Sequence, residues 1–117
     1  METASLARRQ IVLLRFPFSD LSATKLRPAL VLADAGRGDW LLRQITSQAY
    51  ADPGAVALHD ADFAEGGLRL ISWARPAKLF TANASLVHSI AGRLTDAAHE
   101  RVCEALIDLV RDVMKSA

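Results

Sequence analysis

Arg27 and Thr46 are the two residues whose types and spacing best suit chemistry on a phosphate group. Pro28 disfavours the α region for the residue before it, so the backbone of Arg27 is expected to be extended. A guanidinium presents five donors in a planar fork that matches phosphate, and it does not act as a base in a protein. Thr46 and Ser47 follow nineteen and twenty residues after Arg27. A cation beside a hydroxyl can hold a phosphodiester and stabilise the charge of its transition state.

Each of these residues also has a purely structural interpretation. Arg27 can lie along the surface at a strand end and pair with Asp20 or Asp34. The hydroxyls of Thr46 and Ser47 can cap a turn, which is common after strands. On spacing alone, these structural interpretations are favoured over a catalytic one.

A hairpin is the element that would bring Arg27 and Thr46 together. The apolar run Ala29–Ala33 predicts one strand and Trp40–Ile45 predicts its partner. Between them, the segment DAGRGD at 34–39 is the strongest turn signal of the chain. An antiparallel pair with a slightly long loop places Arg27 or its neighbour opposite about Thr46.

The rest of the chain predicts short strands and then one long helix. Thr95 is a good N-cap, and apolar residues after it recur at steps of three and four, which predicts a helix about 30 Å long. Its apolar stripe comprises Leu94, Ala98, Val102, Ala105 or Leu106, Leu109 and Val113, and Leu109, Val110 and Val113 are expected in the core. The other predicted elements are strands at Ile11–Phe16, Val56–Leu58, Leu70–Ala74 (interrupted by Pro76) and Lys78–Thr81, a helical turn in 59–67 capped by Gly66 and Gly67, and a segment at 84–94 that fits a strand or a helix. This order favours a small barrel or strongly bent sheet with a terminal helix packed on it.

Length, net charge and cysteine content limit which kinds of protein this chain can be. The 117 residues predict a single domain, 1–117, and the net charge of +1 leaves any nucleic-acid role to a local basic site. The lone Cys103 excludes an internal disulfide and suits a reducing cytoplasm, and no apolar stretch reaches the roughly 20 residues that span a membrane. His59, His88 and His99 lie far apart, so neither a metal site nor a cofactor is predicted. Trp40 and Trp73 can stack on bases, although packing is the favoured interpretation.

Several segments, taken in order, resemble the MazF/PemK family of toxin–antitoxin ribonucleases. They are FPFSD at 16–20, RPALVL at 27–32, QITS at 44–47, and RPAKLF at 75–80 followed by SIAGRLT at 89–95. The resemblance runs from about Ile11 to Leu94. It implies an α+β, mainly β fold, an SH3-like small β-barrel with a C-terminal α-helix packed on it, which acts as a homodimer.

The same resemblance implies sequence-specific, metal-independent cleavage of single-stranded RNA. The ribose 2′-hydroxyl attacks the adjacent phosphorus, which leaves a 2′,3′-cyclic phosphate and a 5′-hydroxyl. Arg27 matches the arginine expected to stabilise the charge of this step, and Thr46 matches the threonine expected to hydrogen-bond the scissile phosphate. The residues expected to contact RNA are Ser19, Asp20, Ser22, Lys25, Ser47, Gln48 and Arg75. The implied protein partner is an antitoxin with a disordered tail that folds on binding.

The sequence departs from the family pattern at three places. Arg9 and Gln10 stand where the family usually has Gly-Asp, and the first loop, SDLSATK, lacks the Gly and Glu that many members carry. Ala77 stands where some relatives have a carboxylate proposed as the base. The general base is therefore not identified. These departures leave two alternatives open: a CcdB-like toxin that binds DNA gyrase without catalysis, and a degenerate barrel that keeps only antitoxin binding.

Overall fold

A computed structural model of the chain describes residues 6–15, 25–48 and 54–116. Within them lie seven β-strands and one α-helix. The strands are β1 (Gln10–Arg15), β2 (Leu26–Gly36), β3 (Asp39–Thr46), β4 (Val56–Leu58), β5 (Phe63–Gly66), β6 (Ser72–Asn83) and β7 (Val87–Leu94), and the helix is α1 (Asp96–Ser116). Short 3₁₀ turns at Asp60–Asp62 and Ala84–Leu86 precede β5 and β7. The prediction for Val56–Leu58 is confirmed, and that for Ile11–Phe16 is confirmed as far as Arg15; Phe16 lies outside the described residues.

The seven strands form one antiparallel sheet in the order β4-β6-β3-β2-β1-β7-β5. The helix α1 contacts β4 and β6 near one edge of this sheet and also β7 near the other edge. A single helix reaches both edges only because the sheet curls around it into a half-barrel. The predicted α+β, mainly β architecture with a C-terminal helix packed on a bent sheet is confirmed.

Both faces of the central strands are buried. One hydrophobic cluster, which includes α1 residues, comprises Ile11, Leu30, Leu32, Ile45, Leu58, Ala74, Leu94, Ala98 and Val102. The other comprises Leu6, Val12, Leu14, Ala29, Val31, Leu42 and Ala82. Successive residues of β1 and β2 alternate between the two clusters, as the pleat of a strand requires. Because both faces of these strands are buried, their sequences are continuous apolar runs and do not alternate with polar residues.

The predicted hairpin of β2 and β3 is confirmed, but its loop is shorter than expected. Arg37 and Gly38 alone connect the strands, with φ of 59° and 83°. This two-residue loop has positive φ at both positions, which is typical of a type I′ turn whose twist matches the strands. The expected long loop is replaced by two register shifts, between Val31 and Ala33 and between Asp34 and Gly36, at each of which β2 has one extra residue.

The region around Pro76 is one strand and not two. Leu70–Ala74 and Lys78–Thr81 were predicted as separate strands, whereas β6 runs unbroken over 12 residues from Ser72 to Asn83. Pro76 lies in a bulge, because the pairing with β3 jumps from Ala74–Ile45 to Leu79–Arg43. A proline has no N–H for the ladder, and a bulge is the place in a strand where none is needed.

Tertiary pairing also overrides the predicted helical turn in 59–67. The turn is a 3₁₀ turn of three residues that ends at Phe63 and not at the glycines. Phe63–Gly66 instead forms β5, which pairs with Leu94, Arg93 and Gly92 of β7. The segment 84–94, for which strand and helix were both open, is a 3₁₀ turn followed by β7.

The helix α1 begins as predicted, with the hydroxyl of Thr95 accepting a hydrogen bond from the Ala98 N–H at 3.1 Å. An ion pair of 3.0 Å joins Asp96 at its first residue to Arg9. Ala98 and Val102 are fully buried, but Leu109 is 37% and Val110 50% exposed, so the prediction that these two are core residues is wrong. The side chain of Val113 lies outside the described part. Among the described residues, no helix is long and apolar enough to cross a membrane.

Candidate active site

A cleft opens where β2 and β3 stop pairing with each other. The ladder between them runs from the turn to Ala29 opposite Gln44. Beyond that point β2 follows β1 as far as Leu26, while β3 follows β6 as far as Thr46. The ends of the two strands therefore lie on either side of an open cleft of about 840 Å³.

The cleft is lined by apolar and by basic residues. Its lining residues are Leu13, Lys25, Leu26, Arg27, Pro28, Gln44, Ile45, Thr46, Ser47, Gln48, Gly67, Leu68, Arg69, Leu70, Ser72, Arg75 and Ala91. Four of them are lysine or arginine, and within the described part of the chain none is aspartate, glutamate or histidine. A concave site lined by one sign of charge attracts ligands of the opposite sign, so this cleft suits an anion.

The structure brings Arg27 and Thr46 to the same cleft. Continuing the register of the last pairs by two residues places Arg27 opposite Thr46. Arg27 is half-buried, and within the described residues its guanidinium has neither a hydrogen bond nor an ion pair. The structural alternative of an ion pair between Arg27 and Asp34 is not observed; the Asp34 carboxylate instead accepts the N–H of Gly36 at 2.7 Å. Asp20, the other candidate partner, lies outside the described residues.

Thr46 also caps a turn, as its structural interpretation expected. Its Oγ1 accepts a hydrogen bond from the Gln48 N–H at 3.1 Å. A hydroxyl has one donor and two acceptor positions. The capping bond occupies only one acceptor position, so the Thr46 hydroxyl can still donate its proton to a phosphate oxygen.

Other residues predicted to contact RNA fall into two groups. Lys25, Ser47, Gln48 and Arg75 line the cleft, whereas Ser19, Asp20 and Ser22 lie outside the described residues. Arg75 is positioned by the bulge of β6, where its Nη1 donates to Oε1 of Gln44 on β3 at 3.0 Å. A bulge re-aims a side chain in this way without ending the strand.

Sequence reasoning missed one segment that lines the cleft. Gly67, Leu68, Arg69 and Leu70 connect β5 to β6 and line the cleft together with the ends of β2 and β3. The sequence predicted a helical turn in 59–67 and a strand beginning at Leu70. These two predictions left no loop at this position. The Gly66–Gly67 pair was the available signal for a turn at this point.

The histidines and the tryptophan of β3 take no part in this cleft. Burial lowers the pKa of the half-buried His99 in α1, and the charges of Arg9 and Arg8 lower it further. Trp40 packs against the hydrophobic cluster that contains Val31 and Leu42, which confirms the packing interpretation. Within the described part of the chain, no three His, Cys, Asp or Glu side chains are grouped so that they can hold a metal ion.

Solved structures share this architecture. The MazE–MazF structure from Deinococcus radiodurans matches with a TM-score of 0.71 at 18% identity, over 92% of this chain and 97% of that one. An endoribonuclease in complex with its cognate antitoxin from a mycobacterial species matches with a TM-score of 0.70 at 15% identity, over 92% and 95%. The Mycobacterium tuberculosis toxin MazF-mt6 matches with a TM-score of 0.64 at 20% identity, over 84% and 92%. At such identities the likeness establishes the fold.

Sequence comparison identifies the family. A comparison with curated proteins finds no significant match. The family model described as PemK-like, MazF-like toxin of type II toxin–antitoxin system matches residues 7–110. Since that match spans most of the chain, this protein belongs to the PemK-like, MazF-like toxins of type II toxin–antitoxin systems.

Proposed function

We propose that this chain is the toxin of a type II toxin–antitoxin pair and cleaves single-stranded RNA at a specific sequence without a metal ion. The observation that carries the proposal is the cleft itself, which is lined by Arg27, by Thr46 and by three further basic side chains. The fold is shared with structures described as endoribonucleases. Cleavage of messenger RNA would inhibit translation and growth.

The proposed reaction is an internal transesterification. The 2′-oxygen of one ribose attacks the adjacent phosphorus, a new O2′–P bond forms, and the P–O5′ bond breaks. The products carry a 2′,3′-cyclic phosphate and a 5′-hydroxyl. Charge accumulates on the non-bridging oxygens in the transition state, where Arg27 can donate two hydrogen bonds and Thr46 one. Arg27 can also donate a hydrogen bond to the leaving 5′-oxygen.

Two proton transfers complete this reaction. The 2′-hydroxyl gives its proton to a base, and the leaving 5′-oxygen takes a proton from water, so that no net proton is released or consumed. The described residues of the cleft include no histidine or carboxylate to accept the first proton, and a guanidinium does not act as a base in a protein. Asp20 of the first loop is the carboxylate that the sequence offers, and its role as the base is part of the proposal.

The test is RNA cleavage by the pure protein in buffer that contains EDTA. We expect wild-type protein to cut a long single-stranded RNA and to leave cyclic phosphate ends. Arg27→Ala should slow cleavage by about 10²–10³-fold, as the loss of a transition-state donor does. Thr46→Val should slow it roughly ten- to hundredfold, and Thr46→Ser should restore most of the rate.

Arg37→Ala is the matched control, because this exposed arginine lies in the turn at the opposite end of the same hairpin. Its cleavage rate should equal that of the wild type. Intact RNA after incubation with wild-type protein, or equal rates for wild type and Arg27→Ala, would exclude the proposed activity.

Partner and assembly follow from the same proposal. We expect a single domain over 1–117 that acts as a cytoplasmic homodimer and is inhibited by an antitoxin whose tail folds along the toxin surface. The exposed apolar residues Ile107, Leu109 and Val110 on the second half of α1 support a second copy as their partner.

A further inference from the structure

We infer that the segment 67–71 is the part of this cleft that reads the RNA. In this assignment Arg69 binds a phosphate next to the scissile one, and Leu70 packs against the base of a nucleotide beside the cleavage point. The inference rests on the proposed function and extends it to residues that nothing in the family match singles out.

The segment is anchored at both ends. At its start, Gly67 N–H donates to the carbonyl oxygen of Ala91 in β7 at 3.2 Å. A Cβ on Gly66, where φ is +63°, would clash with that same carbonyl, so the close approach of β5 to β7 requires glycine. At its end, the buried Ser72 hydroxyl donates to the carbonyl oxygen of Leu70 at 3.0 Å.

Because the segment is held at both ends, its exposed apolar side chains indicate a binding surface. Leu70 is 66% and Ile71 53% exposed, the highest values among the large apolar residues of the described chain. A folded protein exposes neighbouring apolar side chains on a fixed loop beside a polar cleft chiefly where something binds. Since both ends are held, Leu70 is presented to a ligand at little cost in conformational entropy.

The charges indicate which ligand binds. Arg69 is exposed and, among the described residues, has neither a hydrogen bond nor an ion pair. Three other arginines have carboxylate partners, Arg9 with Asp96, Arg93 with Glu65 and Arg101 with Asp62. Arg69 differs from the likewise exposed Arg37 in that it lines the cleft. A basic side chain and an apolar side chain at adjacent positions match one nucleotide unit, which has an anionic phosphate and a flat base with apolar faces.

The size of the cleft agrees with more than one nucleotide. Its volume of about 840 Å³ lies in the upper part of the roughly 300–1,000 Å³ range of pockets that enclose a small ligand. Arg27 and Thr46 line it from the ends of β2 and β3, and residues 67–70 line it from the connection between β5 and β6. An RNA strand bound at Arg27 and Thr46 can therefore reach Arg69 within the same cleft.

The first test measures RNA binding separately from cleavage. A fluorescent ten-nucleotide RNA of mixed sequence is titrated in the Arg27→Ala background, in which cleavage is slow, with and without Arg69→Gln. We expect binding to weaken about tenfold at low salt. The slope of log affinity against log salt should fall by about 0.7, the value for one phosphate contact on a single strand. Arg37→Gln, at the far end of the hairpin, is the control for the loss of one surface charge.

The second test measures sequence preference. Wild type and Leu70→Ser are incubated with a long RNA, and the cleaved positions are identified by sequencing the new ends. We expect the relative frequency of cleavage among sequences to change roughly threefold or more at one nucleotide next to the cut. Ser72→Ala, which frees the Leu70 carbonyl, should broaden the preference in the same position, and Ser72→Thr should restore it.

The outcomes separate this inference from the proposed function. Normal cleavage with unchanged binding slope and unchanged preference in both variants overturns the inference and leaves the nuclease intact. Absence of cleavage by wild type overturns the proposed function, whatever Arg69→Gln does to binding. Weaker binding by Arg69→Gln that equals the loss in Arg37→Gln also overturns the inference, because a general charge effect would then explain it.

Discussion

Two arginines on neighbouring strands, Arg27 and Arg43, have opposite surroundings. Arg27 on β2 faces an open cleft, whereas Arg43 on β3 is completely buried. None of the described residues provides a hydrogen-bond partner for Nε, Nη1 or Nη2 of Arg43. Burial lowers the pKa of this guanidinium, and the charge of a nearby Cys103 thiolate would raise it. The first arginine is available to a substrate, and the second is a charge that folding has to desolvate.

Replacing Arg43 with an apolar residue of similar length should therefore stabilise the protein. An unpaired charge in a protein interior is costly, and well-packed apolar replacements of buried charges are often stabilising. We expect Arg43→Met to raise the free energy of unfolding by about 1–3 kcal/mol in urea titrations. Arg37→Met on the surface should change it by less than about 0.5 kcal/mol. A lower stability of Arg43→Met would show that the guanidinium has a favourable role in the fold.

At the scale of the element, the first turn of α1 carries a pH-dependent term. His99 is half-buried there, and its Nδ1 has no hydrogen-bond partner among the described residues. Burial, followed by the charges of Arg9 and Arg8, holds its pKa below the usual 6.5, while Glu100 and Asp96 oppose the shift. The unfolded chain then binds this proton more tightly than the folded chain does.

The stability of the protein should accordingly fall as the pH drops below about 6.5. The loss comes from His99, because protonation of the folded state lags behind protonation of the unfolded state. His99→Gln should weaken this dependence in urea titrations between about pH 7.5 and 5. His88→Gln, which removes an exposed histidine of β7, is the matched control. Identical profiles for wild type and His99→Gln would show that His99 does not contribute.

Elements were predictable from the sequence wherever local signals and tertiary pairing agreed. The apolar runs predicted β2 and β3, and Thr95 predicted the start of α1. The bulges were not predictable, because Pro76 reads locally as the end of a strand and only pairing with β3 shows that β6 continues. The strand β5 was missed for the same reason, since its pairing with β7 decides its conformation.

Arg27 was predicted to lie opposite Thr46 on the assumption of a long loop at 34–39. The structure has a two-residue turn there instead. A tight turn alone, continued as a regular ladder from Gly36 opposite Asp39, would set Arg27 opposite Gln48. Each of the two extra residues in β2 moves the pairing by one position, and together they set it opposite Thr46. The roles of these residues rest on the family resemblance, since spacing alone favoured structural interpretations.

At the scale of the whole molecule, the apolar residues in the second half of α1 are not fully covered by the described residues of the same chain. Ile107 is 39% and Val110 50% exposed, while Ala98 and Val102 in the first half are fully buried. If a second copy covers this half, a charge at its centre should oppose association. We expect wild-type protein to sediment as a dimer and Val110→Glu as a monomer at micromolar concentration. Glu104→Gln, on the exposed side of the same helix, is the control and should remain dimeric.

A dimer with Val110→Glu would place the contact between copies elsewhere on the surface. A helical signal in circular dichroism that matches the wild type would show that the variant has kept its fold.

The two extra residues of β2 determine which residue of β3 lies opposite Arg27. Ala35, one of them, is exposed, chemically inert and close to the hairpin tip, far from Arg27. Length changes usually accumulate at such tips because they disturb nothing. Here the loss of one residue from β2 would have to be compensated in the turn, or it would shift the pairing at Arg27 and Thr46 by one position. The alignment of Arg27 with Thr46 therefore depends on how many residues this hairpin contains as well as on which ones they are.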